Sequence, residues 1–209
     1  MTATQRLAFF VEALQPSSMT EFMDQNFTTD SDLNLNQLEN TEFEGCKFID
    51  LDFEELSLRS SKFIDCEFIK CSLSQVKLVN TTFREVRFES CRLMGVNWSD
   101  AQSLVDGKFE SCKLDYSIFQ GMDLRGSSFL DCSAKDVDFS TTNLSGTAFT
   151  GTLLENANFH RSDLRNADLR NATRYFIDPN YTKLKGLKVD FPEASSFLVA
   201  LGLDVDFNY

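Results

Sequence analysis

The stretch FEGCKFIDLDFEELSLRSSKFIDCEFIKC, residues 43–71, carries a large apolar residue at every fifth position: Phe43, Phe48, Phe53, Leu58, Phe63 and Phe68. The spacing runs back through Leu38 to Leu33 and forward through Leu73, Leu78, Phe83, Phe88 and Leu93 to Trp98. It slips by one residue and resumes as Phe109, Leu114, Phe119, Leu124, Phe129, Ala134, Phe139, Leu144, Phe149, Leu154, Phe159, Leu164 and Leu169. Neither regular element keeps such a register. Five steps along an α-helix turn about 500°, so successive members point about 140° apart. An odd step along a strand changes face. The chain must turn once per repeat to keep these residues inside.

A second column sits two residues before each anchor and is small or compact, as at Thr41, Cys46, Ser61, Cys66, Cys71, Thr81, Cys91, Cys112, Ser117, Cys132 and Thr147. Leu51, Leu56 and Met122 are larger exceptions. The other positions are mostly polar. Internal repetition of this kind outranks local propensity in deciding a fold.

The strings NANFH, RSDLR and NADLR within 156–170 resemble the pentapeptide-repeat family, over residues 33–174. The resemblance implies an all-β solenoid, a right-handed quadrilateral β-helix with four repeats per coil. Residues 20 apart then stack, and Phe48, Phe68, Phe88, Phe109, Phe129 and Phe149 form one column of rings. The repeats fill about seven coils, roughly 34 Å of rod at the spacing of hydrogen-bonded strands. The column stays in line if the slip is a one-residue bulge near Ser103 to Gly107.

Both ends of such a rod need covers, because open strand edges invite pairing. Residues 1–32 are expected to form a helical cap. Leu7, Phe10, Val11 and Leu14 share one helical face, Pro16 ends that helix, and Ser18 to Glu21 fits a capping box opening a second short helix with Phe22 and Met23. After Arg174 the register is lost, and residues 175–209 form a C-terminal cap and dimerisation segment. A helix is expected over about 192–201, with Pro192 in its first turn and Gly202 as its cap. Phe197, Leu198, Leu201, Leu203, Val205 and Phe207 offer more apolar surface than one coil end needs, with Leu203, Val205 and Phe207 alternating like a short strand. The expected outcome is a homodimer joined end to end.

The chain has 209 residues and a formal net charge of −12. No apolar run approaches the ~20 residues of a membrane span, so no membrane partner is expected. The acidic balance argues against direct nucleic-acid binding, which needs a basic footprint. All six cysteines fall in the small inward column. They read as reduced, compact fillers, and with no signal-peptide pattern at the start they place the protein in the cytoplasm. No phosphate-cradling glycine loop, GxSxG or HExxH is present. His160, the one histidine, follows anchor Phe159 and faces outward. The expectation is a binding protein without catalytic site, metal or cofactor.

The charge is uneven. Residues 21–55 hold Glu21, Asp24, Asp30, Asp32, Glu39, Glu42, Glu44, Asp50, Asp52, Glu54 and Glu55 against Lys47 alone. Residues 161–188 hold Arg161, Arg165, Arg170, Arg174, Lys183, Lys185 and Lys188 against Asp163, Asp168 and Asp178. One reading is solubility; the other is an acidic rod that occupies a DNA-binding surface. REVRFESCRLMGVNWSDAQ at 84–102, and FID followed by KLKGLKVDFPEASSFLVALGLDV near the end, resemble the pentapeptide-repeat proteins that protect DNA gyrase and topoisomerase IV, the Qnr-type group and gyrase-poison immunity proteins. That resemblance implies a dimeric, DNA-mimic-like rod with gyrase or topoisomerase IV as partner. A generic interaction scaffold with an unrelated partner is the alternative. The residues best placed to meet a partner are the acidic tip (Glu39, Glu42, Glu44, Asp50, Glu54, Glu55), the slip around Val105 and Asp106, and the outward Met94 and Tyr116.

Overall fold

The computed structural model describes residues 19–204. Its strands are β1 (Thr20–Met23), β2 (Asn26–Phe27), β3 (Thr41–Glu44), β4 (Lys47–Ile49), β5 (Lys62–Ile64), β6 (Glu67–Ile69), β7 (Thr82–Arg84), β8 (Arg87–Glu89), β9 (Ser103–Val105), β10 (Lys108–Glu110) and β11 (Ser128–Leu130). They form two parallel sheets, β1-β3-β5-β7-β9 and β2-β4-β6-β8-β10-β11. The sheets are the first and second faces in chain order, and the third and fourth faces are joined coil to coil by single parallel bridges such as Ser72↔Arg92 and Asn97↔Ile118 respectively. The result is a right-handed quadrilateral β-helix.

The anchors stack as the spacing requires. Rings in the second-face column lie 4.6 Å apart at Phe48–Phe68, 5.0 Å at Phe88–Phe109 and 4.9 Å at Phe109–Phe129, with planes within 15° of parallel. Rings of neighbouring columns meet edge to face, as Phe109 and Phe119 do at 6.1 Å. Both geometries are favoured by the ring quadrupole. Phe43, Phe48, Phe53, Phe63, Phe68, Phe83 and Phe88 have no solvent exposure.

The small column does more than fill space. Thr81 Oγ1 donates to the Leu58 carbonyl at 2.7 Å, and Thr142 Oγ1 to the Phe119 carbonyl at 2.7 Å. Cys91 and Cys112 thiols donate to the Phe68 and Phe88 carbonyls at 3.2 and 3.3 Å. Each partner is the anchor carbonyl of the coil below, so Ser, Thr and Cys supply a short donor at a buried corner where a larger side chain would not fit. The cysteines are therefore weak hydrogen-bond donors as well as fillers. All six are free and buried.

A third column escaped the sequence reading. The second residue after most anchors turns the corner with a positive φ, as at Asn40 (55°), Gly45 (62°), Asp50 (59°), Glu55 (58°), Ser60 (57°) and Asp65 (50°). Gly, Asn and Asp recur there because the left-handed region costs them least.

Several expectations change. The residues read as a second helix, Phe22 and Met23, lie in β1 instead. Phe22 stacks on Phe43 at 5.2 Å, and Thr20–Met23 pairs in parallel with Thr41–Glu44. A strand there extends an existing ladder and column, which outweighs a lone capping box. The helix expected on Leu7, Phe10, Val11 and Leu14, with Pro16 and Ser18, lies outside the described residues.

The slip lies earlier than expected. Leu104 is a buried anchor paired with Phe83, so the extra residue falls between Trp98 and Leu104. A 3-10 turn at Trp98–Asp100 takes it up, leaving Val105 and Asp106 on a regular strand and corner. A matching six-residue step separates Phe27 from Leu33, so Phe22 and Phe27 lie under Phe43 and Phe48.

Stacking also passes Arg174. Lys183 and Lys188 bridge to Asp163 and Asp168, which sets Leu184 and Val189 over Leu164 and Leu169 beyond an irregular segment that buries Tyr175 and Ile177. The helix α1 is Ser195–Ala200, shorter than expected, with Pro192 ahead of it. Gly202, at φ 81°, caps it as expected, and the Leu203 N–H donates to the Leu198 carbonyl at 3.0 Å. That bond holds Leu203 in the cap, not in a strand. Val205 and Phe207 lie outside the described residues. No helix among the described residues is long and apolar enough to cross a membrane.

Two measurements check this architecture. Phe88→Ala is expected to cost about 3–5 kcal/mol, whereas Lys113→Ala on the surface stays within about 0.5 kcal/mol; equal melting temperatures would refute the stacked register. Burial pushes the Cys46 thiol up and the Cys66 thiol up to about 12. All six thiols are buried, so Ellman titration of the native protein should find few of them reactive, and denaturation without reductant should release all six.

Candidate partner-binding site

The corner between the third and fourth faces carries Glu55, Gln75, Gly95, Tyr116, Asp136 and Asn156 in one ascending line, each with positive φ. The corners are locked by the ladder: the Gln75 N–H donates to the Met94 carbonyl at 3.0 Å and the Gly95 N–H to the Asp115 carbonyl at 2.9 Å. Gly95 contributes no side chain, so the line has a notch between Gln75 and Tyr116. A groove opens there, lined by Glu54, Ser74, Val76, Lys77, Arg92, Met94, Asn97 and Asp100 as well as the three corner residues.

Tyr116 stands out from the wall of this groove at 61% exposure. It turns a left-handed corner at φ 64°, where a bulky residue is uncommon and costs roughly 1–2 kcal/mol. Met94 is half-buried beside it. Ser74 Oγ and Asn97 Oδ1 are buried and have no hydrogen-bond partner among the described residues. The groove is next to the six-residue step, since Trp98 and Asp100 begin the 3-10 turn that absorbs it.

The structure therefore brings Glu54, Met94 and Tyr116 together and separates the other candidates. Glu55 occupies the same corner line two coils below Gly95. Glu42 and Glu44 point outward from β3 on the first face, and Val105 belongs to the same column as Glu44 through Ile64 and Arg84. Glu39, Asp50 and Asp106 lie on other faces or corners. Ser74, Asn97 and Gly95 escaped the sequence reading. Gly95, the one glycine in its corner line from Glu55 to Asn156, is the signal that marks them, and it is readable only once the corner column is recognised.

The charges are also sorted by the fold. Among the described residues, Glu42 is the one acidic-tip carboxylate in an ion pair, with Lys62 at 2.8 Å. The basic residues near the other end are mostly engaged. Arg165 and Arg170 clamp Asp163 and Asp168 at 2.7 and 2.6 Å, Arg174 meets Glu155 at 2.7 Å, and Lys183 and Lys188 add to the same aspartates at 3.5 and 3.8 Å. The expected basic end is thus a set of local pairs, whereas the acidic tip apart from Glu42 is uncompensated among the described residues. His160 sits on the surface against Tyr181, ring centroids 5.1 Å apart. Among the described residues no group of three or more His, Cys, Asp or Glu could hold a metal ion.

A family model described as a pentapeptide repeat region matches residues 36–104 and 102–174. The chain belongs to the pentapeptide-repeat family. No curated protein sequence matches it. Among solved pentapeptide-repeat and related structures, a trypsin-treated form of QnrB1, a plasmid-mediated fluoroquinolone resistance protein, is 18% identical, with 90% of this chain and 99% of that one covered and a TM-score of 0.49. Full-length QnrB1 is 17% identical over 88% of this chain and 100% of its own, at a TM-score of 0.36. HetL, a pentapeptide repeat protein involved in heterocyst differentiation regulation from the cyanobacterium Nostoc sp. strain PCC 7120, is 17% identical over 90% of this chain and 92% of its own, at 0.39.

The clamped aspartates of this repeat array make an acid-stability prediction. Hydrogen bonds from Arg165 and Arg170 hold Asp163 and Asp168 at about 2, below the ordinary carboxylate value of about 3.9. A depressed folded value contributes stability that is complete above about pH 4 and lost as pH falls through about 2. In acid-unfolding curves, Asp163→Asn with Asp168→Asn should lower stability at neutral pH and flatten the loss between about pH 4 and 2. Parallel curves for the two proteins would contradict the clamps.

Proposed function

We propose that this pentapeptide-repeat protein binds a type II topoisomerase, DNA gyrase and by extension topoisomerase IV, and protects it from, or moderates it against, quinolone or peptide poisons. It does so as a non-enzymatic, DNA-mimic-like protein of the cytoplasm. One observation carries the reading. Residues 84–102, which resemble a gyrase-poison immunity protein, supply Arg92, Met94, Gly95, Asn97 and Asp100 to the groove. The stretch that sets this chain apart from a plain repeat is thus also the stretch that interrupts the regular surface. The uncompensated acidic tip supports it further, because a surface that normally receives DNA is positively charged and steers acidic partners.

The same proposal includes a homodimer joined through the C-terminal end. Leu198, Leu201 and Leu203 are 43, 55 and 54% exposed, an apolar end suited to an isologous contact. Phe197 contributes less than expected, since it packs on the core and lies 6.3 Å from the Tyr175 ring.

The test is gyrase supercoiling in the presence of a fluoroquinolone or a peptide poison, with the protein titrated in. Restored or altered supercoiling at micromolar protein is expected, and an indifferent enzyme would end the topoisomerase reading. Light scattering should report a dimer at tens of micromolar, and Leu198→Asp with Leu201→Asp should report a soluble monomer. A monomeric unmodified protein would remove the long rod.

A further inference from the structure

We propose that the notch at Gly95 is a docking site for an extended loop of the partner protein. The loop seats one apolar side chain between Gln75 and Tyr116 and sets its main chain against Ser74 and Asn97. The inference rests on the topoisomerase reading above and deepens it by naming the contact.

Packing does not force the empty corner at Gly95, nor those at Gly121 and Gly146. At Gly45, Gly126, Gly151 and Gly186 an added Cβ would collide with the side chain of Asp24, Asp106, Asp131 or Asn166 one coil below. At Gly95 the nearest atom to an added Cβ is Gln75 Cγ, at an ordinary 3.6 Å. Asn, which tolerates positive φ, would fit there, and Asn occupies the equivalent corners at 40, 80, 156, 166 and 171. The repeat does not need an empty corner at 95.

The floor of the notch is chemically unfinished. Ser74 is 5% exposed, its hydroxyl has no partner, and Asn97 Oδ1 is an unused acceptor. Unmet groups of this kind carry a standing cost that a ligand can remove. A polypeptide offers both complements side by side, an N–H for Asn97 Oδ1 and a carbonyl for the Ser74 hydroxyl. The walls suit an apolar insert: Met94 adapts its shape, and Tyr116 presents a large face of the type that dominates interface energies.

The rim selects a protein. Lys77, Arg92, Glu54 and Asp100 line the groove, and none of the four is in an ion pair among the described residues. A polyphosphate would meet Glu54 and Asp100, and a purely basic tail would meet Lys77 and Arg92. A folded protein's loop, carrying both signs, complements all four.

The experiment uses purified gyrase holoenzyme and three full-length variants. Gly95→Asn fills the notch, and Tyr116→Asn removes the wall while relieving the left-handed corner. Gly146→Asn makes the first substitution again at a corner where nothing lies within 4 Å of the new Cβ. Thermal melting should show all three folded. Calorimetric affinity for gyrase should fall by about tenfold or more for Gly95→Asn and Tyr116→Asn and stay unchanged for Gly146→Asn. Wild-type affinity in all three variants overturns the docking site and leaves the topoisomerase reading standing. Equal weakening in all three overturns it as well, because the effect would then be general. Absence of gyrase binding by the unmodified protein overturns both.

Discussion

Each coil is bound to the next by a parallel hydrogen-bond ladder, and the ladder closes only when the apolar anchor of one repeat sits over the anchor one coil below. This superposition governs every other feature. The Phe48–Phe68–Phe88–Phe109–Phe129 column is continuous at 4.6 to 5.1 Å between ring centroids. The small column is its complement, because a side chain two residues before the anchor must fit a closed corner and still donate to a buried carbonyl. The left-handed column follows from the same geometry, since a five-residue repeat with two inward positions has to turn one corner per face.

The six-residue steps show how strict the constraint is. The one between Trp98 and Leu104 does not interrupt the ladder; it is absorbed in a 3-10 turn, and Phe88 still stacks on Phe109 at 5.0 Å. Something else changes there. Before the step the rings are concentrated on the first and second faces, which adjoin. After it they occupy the second and fourth faces, which are opposed. Trp98 lies at the crossover, edge to face with Phe83, Phe88 and Phe109 and stacked on Phe119 at 5.5 Å. The indole thus touches rings of both arrangements. A site beside this crossover sits where the outer surface departs from its repeat, which gives a partner something to distinguish from the remaining coils.

Electrostatics is divided in the same way between local order and long-range consequence. Positions 20 apart face each other across the ladder, so opposite charges in one column become ion pairs: Lys47 with Glu67, Lys62 with Glu42, Lys183 with Asp163. Exposed pairs of this kind add little stability individually. Their larger effect is to neutralise the middle and C-terminal coils, leaving the net negative charge concentrated on the first coils.

The five-residue period, the inward small column, the burial of the six cysteines and the acidic bias of residues 21–55 were legible in the linear chain, because a solenoid's contacts are local in repeat space and each follows from a fixed offset. The strand at Thr20–Met23 was not, because Phe22 gains its place from Phe43 and a capping-box reading sees only its neighbours. Nor was the true position of the slip, since Leu104 is identified as an anchor by pairing with Phe83. The groove depended most on tertiary structure. Glu54, Met94 and Tyr116 are 40 and 22 residues apart in sequence and line one groove because four coils stack, and a missing side chain at Gly95 becomes a notch only when the corners above and below it are filled. The sequence alone determined the repeat, the rod and its charge; the stacking of coils decided which outward residues share a surface, because residues in neighbouring coils become neighbours only through the ladder.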